Sequence, residues 1–165
     1  DYKTWKGPYH GLDWGFSKDP LAAVKVWITG DNELYIEKEC GKVGLDIDDT
    51  PEYLIKKIEG IEKYTIRADN ALPSNVSYCR RHGLPSCVKD GVEHLKSYEK
   101  IVVHPDCKQV IFEMNNYKYK TDKVSGDVMP DIIDKNNHYM DAIRYAISPM
   151  VRGKGAKSDF SSMFG

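Results

Sequence analysis

Tyr9-His10-Gly11-Leu12-Asp13-Trp14-Gly15 and, a few residues on, Leu21-Ala22-Ala23-Val24-Lys25-Val26-Trp27-Ile28-Thr29 are two apolar runs around which the rest of the domain is laid out. The first is short, mostly apolar and closed by glycine, the pattern of a buried strand. The second is apolar and β-branched enough for a central strand. Gly30-Asp31-Asn32 supplies a turn, and over residues 33–39 Leu34 and Ile36 alternate with polar residues, as a strand with one buried face requires. Connections this short join antiparallel neighbours, because a parallel pair needs a long crossover. The opening of the chain therefore reads as a three-stranded meander.

Downstream, helices begin to separate the strands. Thr50-Pro51-Glu52 is a helix start, with a hydroxyl cap, proline at the first helical position and an acid in the first turn; Leu54, Ile55 and Ile58 follow on one face. Residues 64–68 read as a fourth strand ending at Asp69. Pro73-Ser74 opens a helix that stops near His82-Gly83, where glycine tolerates a left-handed cap. A helix is expected over 90–100, a fifth strand at Ile101-Val102-Val103, and a helix over 105–114. Residues 117–125 alternate Tyr and Lys and turn at Ser125-Gly126, giving a small hairpin or an extended arm. A last helix over 136–147 carries Met140, Ile143 and Ile147 on its buried stripe, with Pro149 ending it. The order βββαβαβα predicts a layered α/β domain whose chemistry lies at the ends of central strands. The expected divisions are an N-terminal extension over 1–8, one domain over 9–148, and a flexible C-terminal tail over 149–165, rich in Gly, Ser and Lys.

Composition narrows the function. A chain of 165 residues is one domain's worth, and 24 basic against 25 acidic residues, net charge −1, excludes a binder working by bulk positive charge. With 41% hydrophobic and 30% charged residues it is neither disordered nor membrane-embedded, and no run approaches the roughly 18 apolar residues of a spanning helix. The opening Asp1-Tyr2-Lys3-Thr4-Trp5-Lys6 has no charged-then-apolar signal pattern, so the expectation is a protein that is not secreted; the absence of an initial Met suggests a piece of a longer one. Cys40, Cys79, Cys87 and Cys107 include no CxxC pair, which fits free thiols in a reducing compartment better than zinc or disulfides.

Acidic residues at strand ends carry the chemistry. Asp13 sits among apolar residues and glycine, where burying an unpaired carboxylate costs several kcal/mol or forces it neutral. Asp69 closes Ile66-Arg67-Ala68-Asp69. If the fourth strand lies beside the first, these two carboxylates meet at one edge, and a divalent cation resolves their repulsion. A lone strand-end aspartate also serves as a turn or cap residue. In the last helix Asn137, His138 and Asp141, at spacings of three and four, project from one face, opposite the apolar stripe. Oxygen ligands predominate, which favours Mg²⁺ or Mn²⁺ over Zn²⁺.

Taken together, Gly11-Leu12-Asp13-Trp14-Gly15-Phe16-Ser17-Lys18-Asp19-Pro20-Leu21-Ala22, then Arg67-Ala68-Asp69 with Pro73-Ser74, then Asn136-Asn137-His138-Tyr139-Met140-Asp141-Ala142-Ile143-Arg144-Tyr145-Ala146 resemble three motifs of the nuclease domain of phage terminase large subunits. The resemblance runs over about residues 8–148. It implies a ribonuclease-H-like fold, helices flanking a five-stranded mixed sheet. It implies a metal-dependent endonuclease that cuts concatemeric double-stranded viral DNA with two divalent ions, Mg²⁺ or Mn²⁺, held by Asp13, Asp69 and Asp141. His138 carries over as an auxiliary group beside the metals. Lys89 resembles a basic position that contacts DNA, and a stripe of Lys89, Lys96, Lys118, Lys120 and Lys123 would hold the backbone, a solvated surface being the alternative for each lysine. The partners implied are double-stranded DNA, an ATPase motor domain of the same subunit, a small terminase subunit and a portal protein, with no membrane, in the cytoplasm of an infected bacterium. No GxxxxGK[ST] phosphate loop occurs in the chain, so no ATPase motif accompanies the nuclease motifs. Another ribonuclease-H-like nuclease (a junction resolvase or integrase-like domain) uses the same carboxylate chemistry, and a cleavage-deficient docking module is the rival from another class.

Overall fold

The computed structural model describes residues 2–15, 17–85, 87–90, 100–116, 119–121, 123–126, 128–132 and 137–152. The meander forms as read. β1 (Lys6–Asp13), β2 (Pro20–Ile28) and β3 (Leu34–Val43) pair antiparallel, with Gly11 opposite Val24 and Ala23 opposite Cys40. β4 (Ile66–Asp69) joins the other side of β1 in parallel, Leu12 beside Ala68. Parallel to β4 lies β5 (Cys87–Asp90), and parallel to β3 lies β6 (Ile101–Val103), so the order is β5-β4-β1-β2-β3-β6.

The main sheet thus has six strands rather than five. The additional strand, Cys-Val-Lys-Asp, is four residues long, too short to show a period, and it ends where a helix was expected to begin. Of that expected helix only Asp90 and Lys100 fall among the described residues. The expected N-terminal extension is shorter than 1–8, because β1 already begins at Lys6 and draws Gly7 and Pro8 into the sheet.

Alternation along β2 sorts the core into two layers. Ala22, Val24, Val26 and Ile28 face α3 (Lys108–Asn116) and α4 (His138–Arg152), where Val110, Met140, Ala142, Ile143 and Ile147 are buried against them. Leu21 and Ala23 face the other way, onto α1 (Thr50–Lys57) and α2 (Pro73–Arg81), whose Leu54, Val76 and Cys79 complete the second layer. Each fully buried aliphatic side chain contributes roughly 1.5–3 kcal/mol, so both sides of the sheet are anchored by many such terms. All four cysteines are buried and free.

Glycine decides how close α4 can come. A Cβ on Gly11 would run into the Ala142 carbonyl of α4, and one on Gly41 into the Tyr139 hydroxyl, so these two positions let the helix lie directly on β1 and β3.

Two local readings change, and one of two open alternatives forms. Thr50 is the first residue inside α1 rather than its cap; Asp49 holds the cap position, and the Thr50 hydroxyl donates back to the Asp46 carbonyl at 2.8 Å. α4 does not stop before Pro149 but runs to Arg152. A proline forfeits one helical hydrogen bond and crowds the carbonyl four residues back; the buried run Ala146, Ile147 and Ser148 holds the helix to the sheet up to that point. The expected tail from 149 therefore begins inside a helix, and residues 153–165 lie outside the described residues. The Tyr-Lys stretch is a hairpin, β7 (Tyr119–Thr121) antiparallel to β8 (Val128–Ile132).

Candidate metal centre

The parallel pairing of β1 with β4 places Asp13 and Asp69 at the same end of adjacent strands, each one residue past the Leu12–Ala68 pair. The Trp14 indole N–H donates to the Asp69 carbonyl at 2.9 Å and clasps the two strand ends together. The first turn of α4 lies over this edge. His138 Nδ1–H donates to Asp13 Oδ2 at 3.1 Å, bridging 125 residues of chain. One turn on, Asp141 is engaged by its neighbour Arg144, whose guanidinium donates to Oδ1 at 2.9 Å. The Asp69 carboxylate accepts the Ala71 amide at 3.1 Å.

Electrostatics ties the three acids into one cluster. Burial pushes the Asp13 carboxyl up to about 6, the charges of Asp141 and Asp69 push the same way, and the His138 hydrogen bond opposes them without prevailing. The imidazole of His138 is raised, chiefly by its hydrogen bond to Asp13, against the cost of burial. The Tyr145 phenol is raised by burial and then by Asp69, Asp141 and Asp13, so it stands in the field of all three.

Among the described residues no three His, Cys, Asp or Glu side chains are placed to hold a metal ion as they stand. Asp13 and Asp141 are instead each turned toward a basic group, His138 and Arg144. The donor set nevertheless fits a hard divalent cation: three carboxylates converge, one of them buried with its charge poorly compensated, and an imidazole stands beside them. These residues suit Mg²⁺ or Mn²⁺ better than Zn²⁺.

The structure thus brings Asp13, Asp69, Asp141 and His138 together. It also adds residues that the sequence did not single out. Asp19, in the loop before β2, lies 3.4 Å from His138 Nε2, so the imidazole is held between two carboxylates. Its signal was faint: an acid six residues after Asp13 in the loop that returns to β2. Arg144, three residues after Asp141, and Tyr145 stood inside the quoted motif without a role. Of the lysines, Lys89 lies on β5 in register with Ala68, one residue short of the Asp69–Asp90 pair. Lys120 is in β7, Lys123 is exposed in the hairpin turn, and Lys96 and Lys118 lie outside the described residues.

A six-stranded mixed sheet with carboxylates at the ends of β1 and β4 and on the helix crossing them is a ribonuclease-H-like nuclease fold. The terminase RNase H-like domain family matches residues 13–149, and the chain belongs to that family. It is 31% identical over 148 residues to the terminase large subunit of Bacillus phage SPP1, covering 82% of this chain and 34% of that one. It is 30% identical over 146 residues to the PBSX phage terminase large subunit of Bacillus subtilis strain 168, covering 83% and 33%. The chain therefore spans about a third of the length of these curated relatives. Among solved structures, the nuclease domain of the SPP1 large terminase, determined with bound Mn, superposes with a TM-score of 0.77 at 28% identity, covering 86% of this chain and 85% of that one. The large terminase nuclease of the thermophilic phage G20c shares the fold at a TM-score of 0.57 and 13% identity, covering 85% and 80%.

Proposed function

We propose that this domain is a metal-dependent endonuclease that cuts concatemeric double-stranded viral DNA, with Asp13, Asp69 and Asp141 holding two divalent cations, Mg²⁺ or Mn²⁺. The observation that carries the reading is the convergence of three carboxylates, from β1, β4 and α4, on one edge of the sheet. When bound, such ions supply Lewis-acid charge to the scissile phosphate and a water of lowered pKa. Support for divalent metal use comes from the SPP1 nuclease domain, which was determined with bound Mn.

The chain's own groups divide the remaining work. Asp13 and Asp69, at the ends of strands paired on both sides, would hold the ions together with Asp141 from α4. His138, held at Nδ1 by Asp13 and at Nε2 by Asp19, keeps a fixed ring orientation and can hold or pass a proton at the nitrogen facing Asp19. Arg144 keeps a positive charge beside Asp141 while the carboxylates are close together. Lys89, Lys118 and Lys120 are the residues we assign to the DNA backbone, contacts that position a duplex without reading its sequence.

The biological setting follows the same reading. The domain works beside an ATPase motor domain of the same large subunit, with a small terminase subunit and a portal protein as partners, in the cytoplasm of the infected bacterium. No helix among the described residues is long and apolar enough to cross a membrane.

Plasmid cleavage tests the proposal. With Mg²⁺ or Mn²⁺ the purified chain converts supercoiled plasmid to nicked and linear forms, and EDTA or Asp69→Ala abolishes it. Preference for branched over linear duplex would turn the reading toward a junction resolvase. A folded chain that binds DNA yet cuts with neither metal would turn it toward a docking module.

A further inference from the structure

Glu113 is buried on α3, only 4% exposed, and its carboxylate has no obvious task in a helix whose other buried residue is Val110. It reaches across to the start of α4, where the backbone amides of Tyr139 and Met140 donate to its Oε2 at 2.8 and 2.9 Å. A helix leaves its first four N–H groups without partners inside the helix, and a residue just before the first turn commonly supplies one. Here the acceptor comes from another helix, 26 and 27 positions earlier in the chain.

That difference has a geometric consequence. An acceptor on a neighbouring element, shared by two successive amides, fixes both the depth of the helix along its axis and its rotation about that axis. Sliding α4 by a single residue would turn it by about 100°. The apolar stripe of Met140, Ile143 and Ile147 holds α4 on the sheet, but apolar contact is non-directional and tolerates small rotations. His138 and Asp141 flank the two amides that Glu113 receives, and Asp141 N itself bonds Asn137 O at 2.8 Å within the same first turn.

The same device occurs one step earlier. Glu39 of β3 accepts Gln109 N at 2.8 Å and Val110 N at 2.7 Å at the start of α3. Glu39 thus caps the start of α3 from the sheet, as one of several ties that hold α3 there. The start of α3 has further ties to β3: His104 N and Cys107 Sγ both donate to Ile36 O.

We propose that Glu113 is a positioning residue for the carboxylate centre, locking the rotation and depth of α4 so that His138 and Asp141 stand over Asp13 and Asp69. The proposal rests on the metal-nuclease reading above. It is tested with Glu113→Met, which keeps the bulk and removes the acceptor, Glu113→Gln, which restores an acceptor oxygen, and Glu113→Asp, which keeps the charge but falls short by one methylene. Glu39→Met serves as the matched cap on α3. Each is measured for Mn²⁺ affinity by calorimetry, for melting temperature, for amide exchange at residues 138–141, and for kcat and KM on plasmid.

Mn²⁺ affinity should fall about 10–100-fold in Glu113→Met, with exchange at Tyr139 and Met140 accelerated and kcat falling more than KM changes. Glu113→Gln should recover most of the loss and Glu113→Asp only part. Glu39→Met should lower the melting temperature comparably while changing Mn²⁺ affinity less than about threefold, well below a supporting-residue effect. A folded Glu113→Met with wild-type Mn²⁺ affinity overturns the proposal, as does an equal loss in Glu39→Met, which would tie the effect to general stability. If Glu113→Met does not fold, wild-type affinity and exchange in Glu113→Asp overturn it. A wild-type chain that takes up no Mn²⁺ and cuts no DNA overturns the underlying reading itself, and it does so before any substitution is made.

Discussion

His10 and Asp13 stand three residues apart on β1, on opposite faces of the sheet, and both are buried, at 1% and 8% exposure. His10 faces the α1/α2 side, where neither ring nitrogen has a hydrogen-bond partner among the described residues and the Tyr64 ring lies 5.7 Å away between centroids. Burial and the neighbouring Lys25 push it down to about 4, so it is neutral in the folded protein at ordinary pH. Asp13 faces α4, is bonded to His138, and is pushed up to about 6 by burial and two neighbouring acids. One strand thus buries two ionisable groups at similar depth. At one, an imidazole with no hydrogen-bond partner among the described residues lies in the field of the Lys25–Glu37 ion pair; at the other, several acids meet at an edge where a cation could be held. Burial alone does not mark a functional group, whereas burial with convergent like charges does.

The strongest way to break the comparison is at Asp13. Asp13→Asn should cut metal-dependent plasmid cleavage about 1,000-fold or more, because a ligand and its charge are lost together. The same change should stabilise the metal-free protein. A carboxyl whose folded value is raised from 3.8 to about 6 destabilises the fold at neutral pH by about 3 kcal/mol, a penalty present above pH 6 and lost as pH falls towards 3.8. Denaturant unfolding should therefore show Asp13→Asn more stable than wild type at pH 7, with the two converging near pH 4. Equal stability at pH 7 would mean that neither burial nor the neighbouring acids penalise the Asp13 carboxylate.

His138→Gln comes next. It keeps a polar side chain but loses the ring held between Asp13 and Asp19, and cleavage should fall about 10–100-fold, the range for groups supporting a metal centre. Steady-state cleavage at saturating Mn²⁺ reads this, and an unchanged rate would leave His138 a bystander.

On the other face the effect should be on stability alone. The unfolded chain takes up a proton near pH 6.5, the folded His10 only near 4, so stability present above pH 6.5 is lost progressively on acidification, up to about 3 kcal/mol. Unfolding curves of His10→Leu should lack this acid slope, while cleavage at neutral pH stays within about twofold, as for a residue outside the site. Thr50 sharpens the contrast as a buried polar group that is paired and uncharged. Thr50→Val should cost about 1 kcal/mol with no pH dependence, the net worth of its bond to Asp46 O, measured by the same unfolding curves.

Much of this was legible in the sequence because short-range signals and the site coincide. The meander was visible in the alternation of Leu34 and Ile36 and in the run through Ala22 to Ile28; Asp13 and Asp69 were marked by their positions at strand ends. β5 was not legible, since Cys-Val-Lys-Asp lacks the continuous apolar, β-branched run that marks Ile101-Val102-Val103, and its pairing with β4 defines it. Asp19 and Glu113 were not legible for a related reason. Each acts through a partner distant in the chain, His138 and the first turn of α4, and nothing local to either residue announces that contact. Pro149 misled because it is a local signal that the packing of α4 overrides. One test addresses the three carboxylates together.

That test is a crystal structure of the chain soaked in Mn²⁺, with anomalous scattering used to place the ions. Two peaks are expected at the edge formed by Asp13, Asp69 and Asp141, with Arg144 turned away from the Asp141 carboxylate. Peaks elsewhere, or none beside these three residues in a crystal whose protein cuts DNA with Mn²⁺, would contradict it.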